Sequence, residues 1–273
     1  MSPPSSSTER YALTIAGSDS GGGAGIQADL KTFAALEVYG ASAITALTAQ
    51  STTEVRGVQV IPAAFVRAQI ETVLDDLPIR FAKTGMLAES SIVDMVASIA
   101  EARELVLIVD PVMIAESGAR LLDLEAESFV KNRLLPRARL VTPNLPETQA
   151  LLGALPRSVP EMISAARALI ALGAQAALVK GGHLDGDPID VLVDGDRGEP
   201  VILEGPRIDS RATHGTGCTY SAAITALLSR GLPLEDAVRA AREYLRGAIA
   251  AAAARPPIGR GKGPVHHLHR FYD

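Results

Sequence analysis

Apolar positions along the chain fall into two alternating patterns. Short runs rich in Ala, Val, Ile and Leu alternate with longer segments whose apolar residues recur at helical spacing. Tyr11–Ala16 (YALTIA) reads as a strand, and a glycine-rich turn leads into a helix over Gly25–Leu36. Ala41–Thr48 is a second strand, followed by a helix over Ala63–Leu74 that begins just after Pro62, a favoured place for proline. Arg80–Thr84 is a strand, Ser90–Ala102 a helix, and Leu105–Asp110 (LVLIVD) a continuous apolar run of the kind buried on both faces of a parallel sheet. Leu124–Leu135 reads as a helix, Arg139–Thr142 as a strand, Glu161–Leu172 as a helix and Ala176–Lys180 as a strand. Ile189–Val193 and Pro200–Leu203 flank the turn Asp194–Gly198, which predicts a hairpin. Helices over Gly217–Ser229 and Leu234–Ala254 follow.

This alternation predicts an α/β fold: one mostly parallel sheet with helices on both faces and a small antiparallel hairpin at one edge. No repeat and no long linker divides the chain, so residues 11–273 are expected to form a single domain and residues 1–10, rich in Ser and Pro, a disordered tail. In such sheets ligands bind beyond the carboxyl ends of the strands, so the residues that follow each strand carry the functional information.

Composition narrows the classes. Of 273 residues, 47% are hydrophobic, enough for a large core and incompatible with global disorder. A net charge of −5 argues against a nucleic-acid partner, which would call for a basic face. No apolar run approaches the roughly 20 residues of a membrane span. The single cysteine, Cys218, excludes an intramolecular disulfide framework and a multi-cysteine zinc site. The start of the chain lacks the apolar stretch of a secretory signal, and the expected location is the cytoplasm.

The first strand runs into Gly17-Ser18-Asp19-Ser20-Gly21-Gly22-Gly23-Ala24-Gly25, a loop whose glycines let backbone approach a ligand closely. Within it, Gly23–Ala28 fits the dinucleotide fingerprint G-x-G-x-x-A, but the second strand runs into Gln50 where that fingerprint needs an acid for the ribose. Gln50 offers a carboxamide with an acceptor and two donors, matched to the ring nitrogen and amino group of an aminopyrimidine; a plain surface amide is the alternative. Asp110, before Pro111, is placed to hold Mg²⁺ or to cap a turn. Asn144 and Glu147, three apart at a helix start, face one cleft or form a capping box. Lys180 beside Gly181-Gly182-His183 suits a phosphate, or is simply solvated.

The most informative segment is Thr213-His214-Gly215-Thr216-Gly217-Cys218, which opens an apolar helix. Bare N–H groups at a helix start bind anions, and the glycines allow a phosphate to come close. Cys218 stands where such a terminus would stabilise a thiolate, although a small buried cysteine is equally compatible. The tract His266-His267-Leu268-His269 has no neighbouring carboxylate and is a weak metal candidate. Met86 would ordinarily be core.

Together these segments resemble one family, the bacterial hydroxymethylpyrimidine/phosphomethylpyrimidine kinases of the ribokinase-like superfamily. The resemblance rests on Leu13–Asp19, Gly22–Thr32, Ile44–Gln50, Lys83–Leu87, Asp110–Met113, Thr142–Glu147, Lys180–His183, His214–Cys218 and Gly263–His267, in order over nearly the whole chain. It departs at Gly21, where the family commonly has Ser. The resemblance implies a two-step ATP- and Mg²⁺-dependent kinase acting on 4-amino-5-hydroxymethyl-2-methylpyrimidine and then on its monophosphate, for thiamine biosynthesis. It implies that Gln50 grips the pyrimidine, with Asp29 and the Gly17 backbone nearby and Met86, Val112 and Cys218 lining the ring. It implies further that Gly215, Thr216, Gly217 and Cys218 form the anion hole, that Lys180, Asn144 and Thr213 contact ATP, and that Asp110 and Glu147 hold Mg²⁺. Most sugar kinases of the superfamily carry an Asp base at the place of Cys218, so Cys218 is expected to take the hydroxyl proton. Pyridoxal is the alternative substrate, Glu116–Leu122 the candidate flap, and a homodimer the assembly implied by the resemblance.

Overall fold

The computed structural model describes residues 10–113, 124–182, 184 and 186–272. Its elements run β1 (Tyr11–Asp19), α1 (Gly25–Ala35), β2 (Tyr39–Gln50), β3 (Val55–Val60), α2 (Ala63–Asp76), β4 (Phe81–Thr84), α3 (Ser90–Ala102) and β5 (Val106–Val109). They continue with α4 (Leu124–Phe129), β6 (Ala138–Val141), α5 (Leu145–Leu152), α6 (Val159–Ala171), β7 (Ala176–Gly181), β8 (Ile189–Asp194), β9 (Pro200–Leu203), α7 (Thr216–Ser229) and α8 (Leu234–Ala253). The strands join one sheet in the order β3-β2-β1-β4-β5-β6-β7-β8-β9. From β2 to β7 neighbours are parallel, whereas β3 at one edge and β8–β9 at the other are antiparallel.

Period-two alternation on these strands feeds two cores. Leu107, Val109, Ala177 and Val179 face the layer built from α2, α3, α5 and α6, while Ile108, Ala176 and Leu178 face α1, α7 and α8. Helix α7 lies between α1 and α8, and every residue from Thr219 to Ser229 is buried. That explains its apolar character all round and fixes its N-terminus over the carboxyl ends of the parallel strands. Among the described residues, no helix is long and apolar enough to cross a membrane.

Three elements differ from the sequence reading. Strand β3 is absent from it because Arg56 and Gln59 interrupt the apolar pattern on an exposed edge. The helix expected over Leu124–Leu135 changes character: α4 ends at Phe129, a π-helical turn covers Val130–Leu134, and a 3₁₀ turn covers Leu135–Arg137. Pro136, which can neither donate an N–H nor fit a helix interior, stops regular propagation there. The start expected at Asn144 grows into the two-turn helix α5. The proposed flap Glu116–Leu122, most of the expected tail and His183 lie outside the described residues.

The segment after α8 folds back over the start of α7, with a β-bridge between His214 and Pro264. Its histidines meet different partners: His266 contacts Arg255, His269 stacks near Tyr244, and His267 is buried against Thr219. Thr219 Oγ1 donates its single proton to the Gly215 carbonyl (2.8 Å), so at 3.1 Å the His267 Nε2 must be the donor to it. Burial, reinforced by Lys31, pushes His267 down to about 3. The unfolded chain therefore binds a proton near pH 6.5 that the folded chain refuses until about pH 3. We expect stability to be complete above pH 6.5 and to fall by about 1.4 kcal/mol per pH unit on acidification from this residue alone. Urea unfolding of wild type and His267→Asn from pH 7.5 to 4 checks this. The variant's curve should be flatter by that slope, and parallel curves would refute the assignment.

Candidate active site

A cleft of about 470 Å³ opens where β1, β2, β4, β5, β6 and β7 end beneath the start of α7. One wall is the glycine-rich loop after β1. Asp19 organises it by accepting the backbone N–H groups of Gly21, Gly23 and Ala24 at 2.8–2.9 Å. Gln27 reaches back from α1, accepting the Asp19 N–H and donating to Ser18 Oγ. His214 Nε2 donates to Asp19 Oδ2 at 2.9 Å and thereby links this wall to the turn that opens α7. Burial would raise the Asp19 carboxyl, but the His214 bond and the backbone donors outweigh it and hold it below its usual range.

The opposite wall carries the charge. Lys180 Nζ lies 3.0 Å from Asp110 Oδ1, and Asp110 also accepts from Thr142 and Ser221 hydroxyls at 3.2 Å. Burial would raise Asp110, yet Lys180 and Lys83 hold it below its usual range. Glu147 has no such partner of its own. Burial, with the charge of Asp110 adding to it against the pull of Lys180, pushes its carboxyl up to about 7. Asn144 and Glu147 form the reciprocal capping box of α5 at 2.8 Å each way, and both still line the cleft, so the two readings of that spacing coexist.

Gly215, at φ +78°, is the N-cap of α7, and a Cβ there would run into the Gly23 carbonyl. A Cβ on Gly217 would meet Lys180 Nζ at 3.4 Å, so the lysine head rests directly on the helix start. Cationic Nζ, bare helix N–H groups and flanking carboxylates make a site suited to receiving a phosphoryl group.

Of the residues singled out from sequence, Gly17, Gln50, Met86, Asp110, Val112, Asn144, Glu147, Lys180, Thr213, Gly215, Thr216, Gly217 and Cys218 all line this one cleft. At Gly17 a Cβ would press on the Met86 sulfur at 3.2 Å. Two expectations need correction. Asp29 does not reach the cleft: it is fully buried, bound by both oxygens to Lys83 Nζ at 2.9 Å and by Thr14 at 2.6 Å. Lys83, not Asp29, reaches the cleft wall. Cys218 is not a stabilised thiolate either, since burial pushes its thiol up to about 11 despite the pull of Lys83. Sequence reasoning also gave no role to Asp19, Thr48, Lys83, His214 or Lys262, which line the same cleft. An acid or lysine alternating with apolar residues on a central strand is the signal that could have found Lys83.

The sequence profile of the phosphomethylpyrimidine kinases matches residues 19–266. The chain belongs to that family. A hydroxymethylpyrimidine/phosphomethylpyrimidine kinase of Rhizobium meliloti is 50% identical over 96% of this chain and 98% of its own length. A thiamine biosynthesis bifunctional protein of Geobacter sulfurreducens is also 50% identical, but the chain spans only 52% of it. Among solved structures, a pyridoxal kinase of Bacillus subtilis bound to ADP superposes with a TM-score of 0.88 at 37% identity, covering 97% of this chain and all of the other. The ribokinase-like fold expected from the sequence is thus present.

The Lys83–Asp29 pair yields a prediction for this floor of the site. Lys83→Met leaves the buried Asp29 carboxylate without its cationic partner and should cost about 3–5 kcal/mol in urea unfolding. The double variant Asp29→Asn/Lys83→Met should recover most of that loss. Additive losses would show that the two groups are not coupled.

Proposed function

We propose that this protein is an Mg-ATP-dependent kinase. It would phosphorylate the hydroxymethyl group of 4-amino-5-hydroxymethyl-2-methylpyrimidine and then extend the monophosphate to the pyrophosphate. The observation that carries the reading is the meeting of Lys180, Asp110 and the Gly215–Cys218 helix start on one side of a cleft whose other side presents Gln50. Family membership and the names of full-length relatives support the substrate. A bacterial cytoplasm, where ATP is at hand, is the matching location, and a homodimer the matching assembly.

In this reading the substrate hydroxyl oxygen attacks the terminal phosphorus of ATP, the bond to the bridging oxygen breaks, and ADP leaves. Transfer of this kind needs mostly alignment and charge neutralisation, because its transition state is loose. Lys180 and the Asn144 amide would hold the ATP phosphates, with Thr213 beside them. The N–H groups of Gly215, Gly217 and Cys218, on the turn that Thr216 shares, would face the charge that gathers on the equatorial oxygens. Asp110 and Glu147 form an all-oxygen donor set with an excess of carboxylate, visible in the raised Glu147, and this fits a hard divalent ion. When bound, Mg²⁺ would neutralise phosphate charge. Gln50, Gly17, Met86 and Val112 would seat the ring. Cys218 would receive the hydroxyl proton, and with its thiol at about 11 only a small thiolate fraction serves at neutral pH.

A second reading, pyridoxal as the acceptor, is favoured by structural neighbours. The pyridoxal kinase of Staphylococcus aureus bound to pyridoxal and an ATP analogue superposes with a TM-score of 0.86 at 34% identity. ADP release from purified protein with Mg-ATP distinguishes the two. Turnover on the aminopyrimidine and on its monophosphate, with pyridoxal weak, is expected. Turnover on pyridoxal without use of the monophosphate would transfer the assignment to pyridoxal phosphorylation. For Cys218, the rate should rise with pH from 7 toward 10, and Cys218→Ala should lower it by about 10²-fold or more while flattening the profile. Near-full activity of that variant with an unchanged profile would remove the base role.

A further inference from the structure

The Gln50 carboxamide touches two partners whose hydrogen counts are fixed. In the structure its Oε1 lies 3.2 Å from Thr48 Oγ1 and its Nε2 lies 3.4 Å from His214 Nε2. Amide oxygen and nitrogen are alike in shape, so the surrounding donors and acceptors decide which is which. Thr48 Oγ1 also lies 3.0 Å from the Ser18 carbonyl, which can only accept. The single hydroxyl proton therefore goes to Ser18, and Thr48 turns a lone pair toward Gln50. His214 Nε2 faces the Asp19 carboxylate at 2.9 Å, which also only accepts. That nitrogen therefore carries a proton, and its second, longer contact can be made only to an acceptor. Both ends therefore require the amide turned over from that placement, with nitrogen toward Thr48 and oxygen toward His214.

We propose that Thr48 and the Asp19–His214 pair lock the polarity of the Gln50 amide and so select which way round a ring enters the cleft. The backbone of Gln50 is held as well, by reciprocal bonds to Ser20 Oγ at 2.8 and 2.9 Å. The amide then presents an N–H on the Thr48 side and a carbonyl lone pair on the His214 side. His214 is joined directly to Gly215, so the order along the wall is donor, acceptor, anion-binding turn. Around an aminopyrimidine the order is ring nitrogen, amino group, hydroxymethyl. The two sequences match only when the hydroxymethyl group points at the Gly215–Cys218 turn. A 4-oxo pyrimidine, with a ring N–H and a carbonyl in those places, meets donor with donor and acceptor with acceptor. Thr48 and His214 are in this sense positioning residues that act through Gln50.

This inference rests on the pyrimidine reading above, and the experiment separates the two. Steady-state kinetics with Mg-ATP would compare 4-amino-5-hydroxymethyl-2-methylpyrimidine with its 4-oxo analogue in wild type, Thr48→Val and Thr48→Ser, with melting curves to confirm folding. Wild type should prefer the amino compound by about 100-fold or more in kcat/KM, as buried polar mismatches do. Thr48→Val frees the amide to rotate, so this preference should shrink at least about tenfold. The loss on the amino compound should fall mainly on KM, and Thr48→Ser should restore the wild-type ratio. A Thr48→Val ratio equal to that of wild type, or a loss that Thr48→Ser shares, would overturn the lock. Absence of turnover on the amino compound already in wild type would overturn the pyrimidine reading itself, and the lock with it.

Discussion

The site depends on three places where backbone touches backbone or ring with no room for a side chain. Gly25 lies against the Gly17 carbonyl, Gly215 against the Gly23 carbonyl, and Gly23 against the ring of His214. The first folds the loop after β1 on itself, and the other two clasp it to the start of α7. Each costs the chain conformational entropy, which glycine loses most. In return, the start of α7 faces the cleft as an anion-friendly turn, while the N–H groups of the loop opposite are gathered by Asp19. A methyl group at Gly215 would have to push one loop away from the other, and the cleft would lose a wall.

Beneath that clasp, charges alternate through the buried floor. Lys180 pairs with Asp110, Lys83 pairs with Asp29, and Glu147 stands beside Asp110 with its carboxyl raised. Neutral pairs are tolerable in a protein interior, whereas single charges are not. Two paired lysines with one surplus carboxyl leave the floor ready for a further positive charge. That balance suits a protein that must take in a metal ion and a polyanion together.

Much of this was legible in the sequence because strand-to-helix alternation is a strong periodic signal and ligand sites in such sheets lie at strand ends. The residues after β1, β2, β5, β6 and β7 point to one cleft from the sequence alone. What sequence could not show was which side of a wall a group faces. Asp29, on a helix next to a glycine turn, looked like a ligand contact; one turn of α1 puts it into the core instead, where Lys83 awaits it. The thiol of Cys218 failed for a similar reason. Its helix terminus is real, but desolvation of the charged form, with Asp29 and Asp110 nearby, outweighs the pull of Lys83. Strand β3 was hidden because an exposed edge needs no apolar alternation.

The bond from His267 through Thr219 to Gly215 also bears on how the protein is made. The turn that opens α7 is held from behind by a segment synthesised some fifty residues later, and His214 is bridged by Pro264 from the same late segment. The sheet and both helical layers are built from residues that precede this segment. The anion-binding turn takes its support from behind only from the segment itself. Architecture and finished active site therefore draw on different stretches of the chain, and the stretch after α8 completes the second.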